Sequence, residues 1–224
     1  MSTPRVAVRE FQFVKTPFII AVDGPAASGK GTLAAILAAD YGLPCLDTGL
    51  LYRAVGHLAR KADPDDHAAI AALAQAIDAD LLADAALRGR MAGEMASRVA
   101  AIPAVRAALK QYQVDFANQP GGAVLDGRDI GTVIAPYAPV KLFVTAAPEV
   151  RARRRWLQLS ARDPELAFET VLDDIRVRDA RDSGRADAPL EKAADALLLD
   201  TTDLDIEASI AAARSLVKSR CDAG

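Results

Sequence analysis

The stretch GPAASGKGT, residues 24–32, limits the folds open to this chain more than any other feature of the sequence. Gly24, Gly29 and Lys30 fit the pattern G-x-x-x-x-G-K. The apolar run before it, residues 18–22, predicts a strand, and the alanine-rich segment after it predicts a helix. Glycines let the backbone curl around an anion, and a helix N-terminus adds partial positive charge. The sequence therefore predicts a phosphate-binding loop, with Lys30 reaching the outer phosphates.

Short apolar or β-branched runs alternate along the chain with longer segments rich in alanine and leucine. This alternation is typical of βαβ units around a parallel sheet. The first predicted helix ends at Gly42, and its apolar face consists of Leu33, Ile36, Leu37 and Tyr41. We predict a three-layer α/β/α fold of P-loop type with a mainly parallel sheet of five strands, at residues 18–22, 44–46, 123–125, 140–145 and 196–199.

The charge and cysteine content narrow the classes of protein that the chain can represent. A formal net charge of −3 does not suggest bulk attraction to nucleic acid or to an acidic membrane. Cys45 and Cys221 have neither CxxC spacing nor nearby histidines, so we predict no zinc site and a reducing, cytoplasmic location. No stretch approaches the roughly 18 to 20 uncharged apolar residues of a membrane span. One region is locally basic, with Arg151, Arg153, Arg154, Arg155, Arg162, Arg176, Arg178, Arg181 and Arg185.

Cationic residues also follow two other predicted strands. Arg53 comes shortly after the second strand, in LDTGLLYR, and Arg128 follows the third strand, in DGRDIGT. The carboxyl ends of parallel strands form the usual ligand site of an open sheet. A second phosphate site beside the loop would suit phosphoryl transfer between two bound anions. The residue after Lys30 is Gly31, and the hydroxyl arrives one place later at Thr32.

The combination of GPAASGKGT, LDTGLLYR, DGRDIGTVIAP and RDARDSGRADAPL resembles the bacterial type of cytidylate (CMP) kinase, a nucleoside monophosphate kinase, over about residues 18–218. The resemblance implies transfer of the γ-phosphoryl group of Mg-ATP to CMP and dCMP, in pyrimidine nucleotide salvage and recycling. It also implies a monomer that binds neither nucleic acid nor membrane.

The resemblance assigns roles residue by residue. ATP phosphates would occupy Gly24, Pro25, Ala26, Ala27, Ser28, Gly29, Lys30, Gly31 and Thr32. CMP would occupy Thr48, Arg53, Ser97, Arg106, Arg128, Asp129, Arg178, Asp182 and Arg185. Within that set, Ser97, Arg106 and Asp129 would read the base, and Asp182 would accept a sugar hydroxyl. The catalytic groups would be Lys30, Arg128, Arg151, Arg154 and Arg155. Magnesium would be held by Asp126, through water, and by Thr32.

Residues 61–119 have no convincing strand pattern and predict several helices, so we expect the substrate-binding insert of the family to be shortened and its β-hairpin reduced or absent. A polar break at residues 160–165 predicts a short lid between two arginine-bearing helices. We divide the chain into an extension (1–16), core (17–60), insert (61–119), core (120–150), lid with arginine-rich helices (151–185) and C-terminal core strand and helix (186–224).

Three alternatives remain open at the level of sequence. The first is a P-loop kinase for another acceptor, such as UMP, AMP or a small metabolite like shikimate. The second is a nucleotide-binding switch, although the sequence has no Asn-Lys-x-Asp motif and a switch has no need of Arg53 and Arg128. The third is an RNA-binding arginine face, whose interleaved aromatic residues are limited to Trp156 and Phe168.

Overall fold

The computed structural model of the protein describes residues 17–161 and 163–222. The predicted extension, residues 1–16, and Arg162 lie outside the described residues. Five strands form a single sheet: β1 (Phe18–Asp23), β2 (Cys45–Asp47), β3 (Gly122–Gly127), β4 (Val140–Thr145) and β5 (Leu197–Asp200). Each of the five predicted strands is confirmed to within one or two residues at its ends.

The strand order is β2-β3-β1-β4-β5, and every neighbouring pair is parallel. The sheet is therefore wholly parallel, where the sequence predicted a mainly parallel one. The register places Asp23 opposite Gly127 and Asp47 opposite Asp126. Because the strands run in one direction, these residues all lie at the carboxyl end of the sheet, where β1, β2 and β3 finish.

Nine helices are present in the described ranges: α1 (Lys30–Tyr41), α2 (Thr48–Leu58), α3 (His67–Ala72), α4 (Ala79–Ala83), α5 (Arg90–Val99), α6 (Pro103–Ala117), α7 (Pro148–Ser160), α8 (Phe168–Ser183) and α9 (Ile206–Asp222). Short 3-10 turns cover Ala59–Lys61, Leu73–Ala76 and Ala85–Arg88, and a π-helical turn covers Ile130–Ile134. None of the helices that the structure describes is both long and apolar enough to cross a membrane.

Hydrophobic cores lie on both faces of the sheet, which confirms the three-layer architecture. Alternate residues of β1 point to opposite faces. Ile19 packs in the core that includes Val55 and Val105 of α2 and α6. Its neighbour Ile20 packs in the other core, with Leu37 of α1 and Val217 of α9 among its members.

The chain between β2 and β3 is entirely helical or turn-like. Residues 48–121 are all described, and none of them lies in a strand, which confirms the expected absence of a β-hairpin. Helix α5 approaches α2 closely at Gly56, where a Cβ would lie 2.9 Å from the Cβ of Met95. This close packing fixes the helix that carries Ser97 against the helix that carries Arg53. The proposed domain boundaries remain a prediction.

Helix α1 follows its predicted pattern with one exception. It ends at Gly42, whose φ of 65° is a left-handed conformation that favours glycine. Leu33 and Leu37 are buried as expected. Tyr41 is 38% exposed rather than part of the core, and its ring packs 5.5 Å from that of Phe18 at the edge of the helix.

Candidate active site

The loop between β1 and α1 curls through three residues with positive φ. These are Gly24 (149°), Ala27 (59°) and Gly29 (91°). At Gly24 a Cβ would lie 2.0 Å from the carbonyl oxygen of Val144, so only glycine is tolerated there. Pro25, Ala26 and Ser28 are buried, whereas Thr32 is exposed on the first turn of α1. The loop has the compact backbone that a phosphate cradle needs.

Lys30 is the cation at the centre of this loop. Its side chain is buried, and Nζ lies 3.5 Å from Asp126 Oδ1 at the end of β3. Burial, reinforced by repulsion from Arg128, lowers the pKa of Lys30 to about 8. Within the described part of the chain, the buried Ser28 Oγ has no hydrogen-bond partner. A buried cation and an unpaired hydroxyl side by side leave room for an oxyanion that would pair with both.

Asp126 is the carboxylate that borders the phosphate loop. Its backbone carbonyl accepts a hydrogen bond of 2.7 Å from Thr48 Oγ1, while its carboxylate Oδ1 has no hydrogen-bond partner in the described chain. Burial raises the pKa of Asp126, although the positive charge of Lys30 opposes this. No group of three or more potential metal-ligating side chains occurs within residues 17–161 and 163–222. Asp126 nevertheless offers the hard oxygen donor that Mg²⁺ prefers.

A second cluster is built around Asp182, near the end of α8. Arg128 Nε donates to Oδ2 at 3.1 Å, and Ser97 Oγ donates to Oδ1 at 3.2 Å. Arg185 Nη2 lies 3.3 Å from Oδ1, and Arg178 Nε lies 3.7 Å from Oδ2. Burial opposes ionisation of Asp182, but the three arginines outweigh it and hold its pKa below the ordinary value. The structure thus brings together five predicted substrate-binding residues.

Positive charge in this second cluster exceeds the negative charge. Burial and repulsion from Arg155 lower the pKa of Arg53 to about 10, and burial with repulsion from Arg128 lowers that of Arg178 to about 9. The buried Nε of Arg178 has no hydrogen-bond partner in the described chain. A Cβ on Gly93 would lie 3.4 Å from Arg178 Nη1 and 3.5 Å from Arg53 Nη2, so both guanidinium groups converge on α5. Arg53 Nη1 donates to the Leu87 carbonyl at 2.7 Å and Arg178 lies beside Asp182, so each group has a partner as well as further N–H donors of the kind that bind a phosphate dianion.

Arg106 and Asp129 form a buried ion pair beside the Asp182 cluster. Arg106 also lies 3.4 Å from Asp187 Oδ2, and its guanidinium carbon is 5.8 Å from the centroid of the Tyr52 ring. Burial raises the pKa of Asp129, with Arg106 opposing this. Sequence reasoning missed Tyr52. Its position beside Arg53 in LDTGLLYR, on the first turns of a helix that begins at the sheet edge, was the available indication.

The three predicted lid arginines differ in their surroundings. Arg151 is buried and donates to the carbonyls of Ala146 (2.8 Å) and Ala26 (3.3 Å), and it pairs through two bonds with Asp179. Arg154 donates to the carbonyls of Thr201 (2.7 Å) and Ser28 (3.5 Å). The structure therefore does not bring Arg151 or Arg154 into the Asp182 cluster.

Arg155 is the lid arginine that points toward the insert. Its Nη2 donates to the carbonyl oxygens of Arg88 and Gly89, each at 3.3 Å, next to α5. Burial lowers the pKa of Arg155. A third hydrogen bond joins Arg155 Nη1 to Gln158 Oε1, also at 3.3 Å, so the Arg155 guanidinium is held by longer bonds than the Arg151–Asp179 pair at 2.7 Å.

Comparison with known proteins shows which family this chain is similar to. The sequence model of the family described as cytidylate kinase matches residues 20–219. The chain is 59% identical to a cytidylate kinase of Caulobacter vibrioides over 203 residues, covering 90% of this chain and 95% of that protein. It is 60% identical to a cytidylate kinase of Xanthobacter autotrophicus, over 90% of this chain and 98% of that protein.

A solved structure of an uncharacterized protein from Eubacterium ventriosum has a TM-score of 0.51 and 15% identity, covering 91% of this chain and 98% of that chain. At this identity the likeness concerns the fold alone.

Proposed function

Because the chain belongs to the cytidylate kinase family and is an ATP-dependent nucleoside monophosphate kinase, we propose that it phosphorylates dCMP as well as CMP, using Mg-ATP. We further propose that it recycles both monophosphates in pyrimidine salvage, as a cytoplasmic monomer. The observation that carries the site assignment is the convergence of the Arg53 and Arg178 guanidinium groups on Gly93 of α5, in addition to the buried Lys30 of the phosphate loop. Two cationic centres suit two bound phosphates.

The reaction asks the protein mainly to position two anions and to neutralise their charge. The acceptor oxygen belongs to an ionised phosphate, so no general base is needed. In our proposal Lys30 holds the outer phosphates of ATP, and Arg53, Arg128 and Arg178 hold the phosphate of CMP. Arg155 turns from its carbonyl partners onto the transferring group. Such fixed positive charge lowers the barrier because it is already oriented when the transition state forms.

Arg151 and Arg154 have a different role in this proposal from the one that the sequence suggested. Their guanidinium groups are occupied by the loop carbonyls of Ala26 and Ser28 and by neighbouring elements. We propose that they hold the phosphate loop in shape and act as positioning residues. Mg²⁺ would be held by Asp126, with Thr32 beside the loop, and when bound it would offset the negative charge between the ATP phosphates.

The base would be read by Asp129, Arg106 and Ser97. Cytosine presents an exocyclic amine that donates and ring atoms that accept, which matches a carboxylate next to an arginine and a hydroxyl. Uracil presents a carbonyl oxygen where cytosine has the amine, so it would face the Asp129 carboxylate with no proton to share. The two oxygens would repel each other in a buried place even though Arg106 stays paired with Asp129, and this repulsion disfavours UMP.

The use of dCMP follows from the bonding of Asp182. Its oxygens already accept from Arg128 and Ser97 and lie close to Arg178 and Arg185. Losing one sugar hydroxyl leaves the carboxylate still paired. A hydrogen bond to a charged group contributes about 1.5–3 kcal/mol, and the donors that remain on Asp182 keep the loss at or below the lower end of that range. We therefore expect CMP and dCMP to differ by about tenfold or less in kcat/KM.

A panel of acceptors tests the proposal. We expect ADP formation from Mg-ATP with CMP and dCMP, little with UMP or AMP, and none without an acceptor.

Asp129→Asn should reduce the preference for CMP over UMP, because an amide can donate to the uracil carbonyl. Acceptor-independent hydrolysis would support the switch alternative, and preference for UMP, AMP or shikimate would support a different kinase. Omitting Mg²⁺ should abolish turnover, and sedimentation at working concentration tests the monomer.

A further inference from the structure

Asp23 is a buried carboxylate to which sequence reasoning assigned no role. It is the last residue of β1 and directly precedes Gly24 of the phosphate loop. Its side chain reaches across the sheet edge to the segment that follows β3. Oδ1 accepts a hydrogen bond from the backbone N–H of Ile130 at 2.8 Å, and Oδ2 accepts one from that of Gly131 at 2.7 Å. Both oxygens are thus used on the same turn.

The turn that Asp23 holds carries the acceptor-site residues. Arg128 and Asp129 lie immediately before the π-helical turn Ile130–Ile134. The first N–H groups of a helical turn have no partner within the turn itself, so they need an outside acceptor. The contact is close: a Cβ on Gly131 would lie 3.3 Å from Asp23 Oδ2 and 3.1 Å from Lys141 Cδ. This accounts for the glycine in DGRDIGT.

Keeping a carboxylate in this place is costly. Burial raises the pKa of Asp23 to about 7, although the N–H groups of Gly131 and Ile130 oppose this, and Asp129 and Asp126 repel it further. An isolated backbone turn could be satisfied more cheaply by water or by a neutral side chain. Asparagine offers only one acceptor oxygen, and its amide would direct a donor at the second N–H. The carboxyl group of Asp23 offers one oxygen to each of the two N–H groups.

We propose that Asp23 is a positioning residue that sets Arg128 and Asp129 for the acceptor nucleotide, and that it ties this acceptor turn to the strand leading into the ATP loop. The proposal depends on the roles assigned above to Arg128 and Asp129. It adds a physical connection between the two substrate sites. Asp23, which directly precedes the ATP phosphate loop, also holds the turn that follows Arg128 and Asp129. A change at Asp23 should therefore affect CMP more than ATP.

The test is Asp23→Asn, with Lys141→Met as the matched control. Lys141 is buried beside Gly131, but its amino group binds the Pro136 carbonyl and Asp195. Methionine keeps the hydrocarbon that packs on Gly131. We expect Asp23→Asn to raise the KM for CMP about tenfold or more, as for loss of a charge-assisted hydrogen bond, and to change the KM for ATP less than about twofold. Lys141→Met should leave both KM values unchanged.

Two further measurements separate positioning from general loss of structure. Asp23→Asn should have little added effect on the KM for CMP in an Asp129→Asn background, because coupled residues are not additive. Gly131→Ala, which keeps the carboxylate but crowds the turn, should reproduce the defect and remains informative if Asp23→Asn does not fold. Equal rises in both KM values, an unchanged KM for CMP or simple additivity would overturn the proposal. A wild-type enzyme inactive on CMP would instead overturn the proposed function.

Discussion

At Gly31, the absence of a single carbon atom determines how closely the first turn of α1 can approach Asp126. Many phosphate loops have serine or threonine directly after the lysine. Here a Cβ at that position would lie 2.9 Å from Asp126 Oδ2. Since Asp126 is buried and lies 3.5 Å from Lys30 through its other oxygen, it has little freedom to move away. The glycine is thus required by the lysine–carboxylate pair, and the hydroxyl is displaced to Thr32.

Gly31→Ala should separate stability from activity. Alanine favours a helix over glycine by about 1 kcal/mol, which offsets part of the roughly 1 to 3 kcal/mol that crowding a buried group costs, so the melting temperature should fall only slightly. The added methyl should push Asp126 away from Lys30 and reduce kcat about tenfold or more, as expected for a misplaced active-site group. Gly49→Ala is the control, because its Cβ would lie 2.9 Å from Asp47 Oδ1, an exposed side chain that can rotate. Equal kcat values for Gly31→Ala and wild type would contradict this account.

At the scale of elements, Arg151 joins α7 to α8 and to the phosphate loop. Its side chain is 4% exposed, and that of its partner Asp179 is 24% exposed. Removing one member of such a pair leaves the other charge, and the loop carbonyl of Ala26, without a partner in a poorly solvated place. This cost is larger than the small contribution of an exposed ion pair between the same two helices.

Arg151→Ala should therefore destabilise the protein by about 3 kcal/mol, measured by urea unfolding. Arg176→Ala is the matched control, since Arg176 joins the same helices through the exposed Glu149 at 3.0 Å and its removal should leave stability unchanged.

Arg155→Ala should keep its stability but lower kcat on the order of 10³-fold, as for an arginine that meets transition-state charge. If Arg151→Ala were stable but inactive, and Arg155→Ala active, the two roles would have to be exchanged.

The elements also differ in how well the sequence predicted them. The strands were found because short apolar runs such as residues 18–22 are bounded by proline and glycine, here Pro17 and Gly24. The ends of the helices between Lys61 and Gln119 could not be predicted from the sequence, because alanine is compatible with a helix at every position of that segment. Motifs located the arginines, but not their partners. Asp23 meets Ile130 and Gly131 across 107 and 108 residues, and no local pattern predicts such a contact.

At the scale of the whole molecule, the net charge of −3 is an average that hides a local concentration of positive charge. Arg128, Arg178 and Arg185 all lie within 3.7 Å of the single carboxylate of Asp182, and Arg53 meets Arg178 at Gly93. Like charges brought together without water are unfavourable, as the lowered pKa values of Arg53 and Arg178 indicate. We therefore expect a bound anion to be favoured at this site. Substrate binding should relieve that repulsion and stabilise the entire protein.

If each phosphate has its own cationic group, two variants should respond in opposite ways to CMP and to ATP. A ligand at 100 times its dissociation constant adds about 2.7 kcal/mol to stability, so CMP and metal-free ATP should each raise the melting temperature of the wild type. Arg53→Met should lose the shift with CMP and keep the shift with ATP, and Lys30→Met should do the reverse. Without ligand, Arg53→Met should be about as stable as wild type, because removing a repelled charge offsets the loss of the hydrogen bond from Arg53 Nη1 to the Leu87 carbonyl. If each variant lost the melting-temperature shift with both ligands, the CMP and ATP phosphates would share one site. Loss of only the CMP shift in Arg53→Met and only the ATP shift in Lys30→Met follows only if each phosphate has its own cation.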